Sequence, residues 1–177
     1  MLWSHATVLR GCEVGARRSK RRSGRVGILG CLMSEKEAAS PDLVELTRLA
    51  FAALNRGEFG RAYSSPEVVL DTAGYGMGTF NGIEAAIGFL EDWTSSFEDL
   101  TIETDEILDL GNGVVLTVYH QNGRPLGGIN YVRVRSAAVA VWVEGMIVRS
   151  TIQTEAEIDK ARADAERLVE EGAEADV

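Results

Sequence analysis

The stretch VVLDTAGYGMGTF, residues 68–80, brings one acid and three glycines together. Asp71 ends an apolar run, and Gly74, Gly76 and Gly78 follow it. A carboxylate set against an apolar wall has its pKa lifted and becomes a usable general base. A carboxylate at a loop edge is instead solvated or bound by backbone, the commoner condition of aspartate. The glycines raise the question of a phosphate cradle. A dinucleotide fingerprint needs G-x-G-x-x-G opening onto a helix inside a βαβ unit. The spacing here is G-x-G-x-G, and no lysine follows as in a P-loop. These glycines are read as a mobile loop at the mouth of a pocket.

Other residues could do chemistry as well. His120 shares strand parity with Val114, Leu116 and Val118 and lies near a strand end, where a wet histidine is the expectation. Outside the first 32 residues it is the only histidine, and a metal centre needs three or four clustered ligands, so no metal is expected. No sequence feature calls for a cofactor. Arg133 and Arg135 share one face of a strand, and Arg149 lies on the next. Each either pairs with the acidic surface or holds an anionic group of a ligand. Tyr75, Trp93, Tyr119, Tyr131 and Trp142 are candidates to line a site for a flat apolar ligand, with core packing as the alternative.

Charge and composition narrow the classes. The net charge is −9, but seven basic groups and one acid fall in residues 1–32, so that stretch carries +6 and the rest −15. A domain that acidic repels phosphate backbones, which argues against nucleic acid as its partner. No apolar run approaches the ~18 residues of a membrane span. Both cysteines, Cys12 and Cys31, sit in the basic stretch, which fits a reducing cytoplasm and excludes a disulfide scaffold in the domain. Residues 1–32 show no periodicity and are expected to be a disordered basic extension, with Met33 resembling a natural start. Residues 33–177 are expected to form one domain.

These candidates have to be positioned by regular elements. Ser40, Pro41 and Asp42 have the chemistry of a helix start, and Leu43, Leu46, Ala50 and Leu54 recur at helical spacing, with Phe51 beside them. EVVLDT reads as a short strand. Asn81 and Glu84 resemble a capping box ahead of a helix carrying Ile83, Ile87, Leu90 and Phe97 on one face. From residue 100 the period becomes two. LTIETDEILDL, VVLTVYHQ, INYVRVRSAAVAVWV and MIVRSTIQ read as strands, joined at GNG, at NGRPLGG and at EG. Thr154 and Glu157 form a T-x-x-E pattern before a last, charge-rich helix. Helices set beside an antiparallel meander make an α+β domain, and a curved sheet wrapped over helices encloses a cone. Along 137–143 both strand faces are apolar, so the second face needs a cover, which a homodimer packed sheet to sheet would supply.

The order of elements, with AFAALNRGEF, VVLDTAG…GTFNGIEAAIGFLEDW and VWVEGMIVRSTIQTEAE, resembles the nuclear transport factor 2-like superfamily and its bacterial SnoaL-like branch over about residues 42–165. The resemblance implies a cone-shaped α+β barrel with an apolar pocket, often dimeric. Its members include steroid isomerases, polyketide cyclases, epoxide hydrolases, dehydratases and non-catalytic binding domains. Asp71 matches the proton-shuttling base of the steroid isomerases. Their oxyanion partners, a tyrosine and a protonated acid, fall here at Ala50 and near Ala137 or Ala138, which donate no side-chain hydrogen bond. The Asp–Arg–Asp relay of the epoxide hydrolases is incomplete around Arg133 and Arg135. Arg149 matches a position that is often arginine. Two functions remain open: a binding domain for a small apolar molecule, with no complete catalytic machinery, or an isomerase, cyclase or dehydratase using Asp71 as base.

Overall fold

Asp42 caps the first helix, α1 (Leu43–Asn55): its Oδ1 accepts from the Glu45 backbone N–H at 3.1 Å. The computed structural model describes residues 41–172. The basic extension 1–32, the start at Met33 and the expected cap at Ser40 lie outside the described residues. At the other end of α1, Asn55 behaves like a short piece of strand. Its Nδ2 donates to the Ile102 carbonyl and its Oδ1 accepts from the Ile102 N–H, both at 2.8 Å. That double bond ties the helix to the sheet.

The remaining elements are β1 (Ser64–Asp71), β2 (Thr79–Asn81), α2 (Ile83–Ser95), β3 (Thr101–Gly111), β4 (Val114–Gly123), β5 (Val132–Val143), β6 (Met146–Thr154) and α3 (Ile158–Glu170). One six-stranded sheet runs β2-β1-β6-β5-β4-β3. It is mixed rather than wholly antiparallel, because β1 lies parallel to β6, with Val69 opposite Arg149 and Asp71 opposite Thr151. The sequence shows β1 as an isolated strand and cannot show which edge it joins. Strand β2, three residues long, is too short for a periodic signal.

Turn chemistry follows the expected sites. Asn112 and Gly113 have φ of 50° and 78°, and Glu144 and Gly145 have 51° and 79°. Two successive left-handed residues make the tight hairpin turns that suit strand twist. Neither expected capping box forms as drawn. Gly82, with φ 84°, turns the chain from β2 into α2, and Asn81 ends the strand. Thr154 Oγ1 bonds the Glu157 carboxylate at 3.5 Å rather than backbone, and a 3₁₀ turn over Glu155–Glu157 precedes α3.

The sheet has two buried faces. On the concave side α1 packs on β3 and α2 packs on β1. On the convex side Ile158, Ala161 and Ala165 of α3 lie on Val114, Leu116, Val118, Ala137 and Val139. At Ala137 and Val139 the second apolar face of β5 is therefore covered by this chain's own last helix, while Val143 at the end of the strand is exposed. Beneath α3 no second copy is needed as the cover. The charges of α3 mask its narrow apolar stripe, so its role as a cover is hard to read from composition.

Candidate functional site

Side chains of the concave face alternate with those beneath α3. On β4 the concave set is Val115, Thr117, Tyr119 and Gln121. On β5 it is Ser136, Ala138, Ala140 and Trp142, and β5 pairs with β4 in unbroken register from Val132 to Val141. Val68 and Leu70 of β1 and Thr72 just past its end, with Ile147, Ser150 and Ile152 of β6, continue the wall. Ala50, Phe51 and Leu54 of α1 and Ile83, Ala86, Phe89 and Trp93 of α2 close over it. All of these except Val115 and Ser136, which lie buried behind the wall, line a cavity of about 170 Å³. At ~10–15 Å³ for each water-sized probe, that is space for a molecule of one or two rings.

A chain of polar groups crosses one wall of this cavity. Trp93 Nε1 donates to Gln121 Oε1 at 3.0 Å. Gln121 Nε2 donates to Ser136 Oγ at 3.3 Å, and Ser136 Oγ also bonds the Tyr75 hydroxyl. Tyr119 stands opposite Ser136 in the strand register. Burial pushes the Tyr119 phenol far up, the nearby Tyr75 adds to the rise, and the Ser136 hydroxyl opposes it. Tyr119 therefore stays protonated and remains a hydrogen-bond donor. Phe51 packs on its ring with centroids 5.2 Å apart. Trp93 is flanked by Tyr75 at 6.4 Å and Phe97 at 5.5 Å.

The glycine run is what delivers Tyr75. Thr72 closes the loop by donating its N–H and its hydroxyl to the Gly78 carbonyl, both at 2.8 Å. Gly76 takes φ 73° and Gly78 takes 87°, so the chain reverses within six residues. Gly74 sits so close to β6 that a Cβ would lie 3.0 Å from the Ile152 carbonyl. The stretch is a tight internally bonded connection between β1 and β2 that carries a phenol to the cavity.

Of the residues singled out in the sequence, Tyr75, Trp93, Tyr119 and Trp142 line the cavity. Asp71, Tyr131 and Arg149 do not. Val68, Leu70 and Thr72 face inward, so strand alternation turns Asp71 to the other face. There its Oδ1 accepts from the Ala73 N–H at 2.9 Å and from Thr79 Oγ1 at 3.4 Å. Arg149 has the same outward parity and is exposed. Tyr131 is exposed, donates to Asp99 Oδ2 at 3.0 Å and lies under the Arg124 guanidinium. His120 and Arg135 also face away, where they meet Asp105: Nδ1 to Oδ1 is 2.9 Å and Nε to Oδ2 is 3.4 Å. Together they hold the Asp105 carboxyl below its usual pKa, His120 more strongly.

Sequence reasoning passed over Gln121, Ser136 and Thr47. A signal for the first was present. Thr117, Tyr119 and Gln121 form a polar stripe at period two within an apolar strand, and a stripe of that kind on a buried face marks a lining. Among the described residues no group of three or more His, Cys, Asp or Glu is placed to hold a metal ion. No helix among them is long and apolar enough to cross a membrane.

No protein-family model matches the sequence, and no curated protein does. Solved structures do match in fold. A nuclear transport factor 2-like protein of unknown function from Burkholderia pseudomallei is 17% identical with a TM-score of 0.58, covering 68% of this chain and 97% of its own. A putative SnoaL-like polyketide cyclase from Jannaschia is 18% identical with a TM-score of 0.55, covering 69% and 89%. A hypothetical protein with a ketosteroid isomerase-like fold from Catenulispora acidiphila, solved in complex with trimethylamine, is 16% identical with a TM-score of 0.54, covering 64% and 85%. This chain therefore adopts the nuclear transport factor 2-like fold, as a cone of the SnoaL-like and ketosteroid isomerase-like kind.

Proposed function

We propose that this protein binds a small, uncharged, largely apolar molecule in the cone, and that a carbonyl or hydroxyl oxygen of that molecule is held by the lining groups Tyr75, Tyr119 and Gln121, with Ser136 joining Tyr75 to Gln121 behind the wall. One observation carries the reading. In a cavity whose lining is mostly apolar, three of the polar lining residues, Tyr75, Gln121 and Trp93, are joined in one bonded chain through the buried Ser136. Polar groups buried that way fix the orientation of a ligand while the apolar wall supplies affinity. The lining described has two phenols as its only ionisable groups and no carboxylate or imidazole. That favours binding over proton transfer, since Tyr119, whose pKa burial raises, donates a hydrogen bond but does not abstract a proton at neutral pH. Asp71 faces the other side of β1, which weighs against isomerase, cyclase or dehydratase chemistry through that residue. The bound trimethylamine of the Catenulispora protein belongs to that protein, and supports only the general idea that such cones accept small molecules.

Native mass spectrometry of the full chain tests the reading, followed by titration with apolar probes watched through tryptophan fluorescence. Retained small-molecule mass, or saturable quenching that Gln121→Leu weakens, is the expected result. A chain that carries no adduct and binds no apolar probe overturns it.

A further inference from the structure

Gly57, Phe59 and Gly60 take positive φ, of 74°, 38° and 70°, in the connection from α1 to β1. A bulky residue in that region is a backbone outlier, and such strain persists only where the surrounding structure holds it. Phe59 is half-buried and, with Gly60, lines the cavity. The strained residue is therefore part of the cavity wall.

The next residue ties it down. Arg61 Nη1 and Nη2 donate to Glu84 Oε1 and Oε2 at 2.7 and 2.8 Å. Glu84 lies in the first turn of α2, beside Ile83, which also lines the cavity. Both charged side chains face solvent, with exposures of 58% and 76%. Along this stretch the wall is thin: Phe59, Gly60 and Ile83 line the cavity, and their chain neighbours Arg61 and Glu84 are at the surface. The sheet wall, by contrast, is backed by α3. The segment is pinned at its ends, where the Glu58 N–H donates to the Ala53 carbonyl at 3.0 Å and the Tyr63 carbonyl accepts from the Ile147 N–H at 2.7 Å. Between those points the N–H groups of Phe59, Gly60, Arg61 and Ala62 make no backbone hydrogen bond among the described residues. Around Gly57 there is open space.

We propose that residues 57–62 are the gate of the cavity: the Phe59 ring swings outward to let a ligand pass, Gly57 and Gly60 are the hinges, and the Arg61–Glu84 ion pair is the latch. This rests on the binding function proposed above and adds how entry to that site is controlled. The latch and the burial of the Phe59 ring favour the closed form. The left-handed backbone of Phe59 opposes them, which keeps the open form within thermal reach. A few loop positions that absorb the change in φ and ψ are enough for such a motion. An exposed ion pair is weak and is screened by salt, which suits a latch that must release.

The test measures rates of entry and exit. In stopped flow the full chain is mixed with 1-tetralone, an uncharged two-ring ketone that quenches tryptophan fluorescence. Arg61→Gln and Glu84→Gln should each raise the association and dissociation rates about threefold, the scale of an exposed ion pair, and leave their ratio unchanged. The double variant should gain no more than either single one. Added salt should quicken exchange in the unmodified chain and not in the variants. Phe59→Ala, which removes the ring itself, should raise both rates further. Unchanged rates in the latch variants, with tetralone still bound, refute the gate and leave the binding function standing. A readout without ligand separates the other failure. ¹⁵N relaxation dispersion on the free chain should show exchange at the amides of residues 57–62 that changes in Arg61→Gln. If tetralone does not bind, the binding function falls; flat dispersion then refutes the gate as well, and exchange that answers to Arg61→Gln upholds the moving segment.

Discussion

Placing aspartate at residue 165 tests how the convex face of the sheet is covered. Ala165 is fully buried against β4 and β5, whereas Ala163, two residues away on the same helix, is exposed. Both substitutions lose the same small helix preference, up to ~0.7 kcal/mol. Only Ala165→Asp takes a carboxylate out of water, which costs several kcal/mol when nothing pairs with it. The helix escapes that cost by undocking. Undocking forfeits the burial of Ile158 and of the Ala161 and Ala165 methyls, roughly 5 kcal/mol from the helix side alone at ~0.8 per buried carbon. Ala165→Asp should therefore destabilise by about 3–4 kcal/mol and Ala163→Asp by less than about 1. At ~3 °C per kcal/mol for a domain of this size, the melting temperatures should fall by about 10 °C and by less than about 3 °C. Burial raises the pKa of the introduced carboxyl, so the deficit of Ala165→Asp should shrink as pH falls through that raised value. Thermal melts followed by circular dichroism, with sedimentation velocity on each sample, give the answer. Equal losses at the two positions would show that α3 does not cover the sheet by this face. A stable dimer in the unmodified chain that persists in both variants would show that a second copy does.

Three further outcomes follow from the geometry. Gly113→Ala should cost at least ~2 kcal/mol, because φ is 78° and a Cβ there would run into the Trp142 carbonyl; Gly76→Ala, with φ 73° and open space around it, should cost about 1, as thermal melts will show. Asp71→Asn should leave probe affinity unchanged in calorimetry, since an amide oxygen still accepts from the Ala73 N–H and the side chain faces away from the cavity; a large loss of affinity or turnover would restore Asp71 to the site. The Asp105 carboxyl is held below its ordinary value of 3.8 by His120 and Arg135, so it adds stability above that value and loses it as pH falls through the lower folded value. Urea midpoints of the unmodified chain and Asp105→Asn should accordingly differ at about pH 5 and converge in acid below 3.8.

Much of the fold is legible in local pattern. The period-two run from Thr101 to Thr154, with Asn112-Gly113 and Glu144-Gly145 between strands, encodes two hairpins through residues that accept positive φ. The stripe on α1 encodes a helix with one buried face. Tyr75, Trp93, Tyr119 and Trp142 stand out in the sequence as large side chains, but their spacing does not separate pocket lining from core packing. Asp71 and Arg149 lie outside the cavity lining for one reason. Strand parity decides which side a residue faces, and a shift of one residue reverses it. Their parity is plain in the sequence, but which parity faces the cone is not.

Alternation, turns and helix stripes are determined by the sequence itself, because backbone dihedrals and side-chain direction depend on neighbours a few residues away. The tertiary structure decided the rest. It set β1 parallel to β6, laid α3 over the convex face, and brought Tyr75 to Ser136 across 61 residues of chain. It also left Trp142 Nε1 and Thr47 Oγ1 buried without hydrogen-bond partners. Each of these depends on which surfaces meet when the whole chain buries its apolar area, and no local pattern records that outcome.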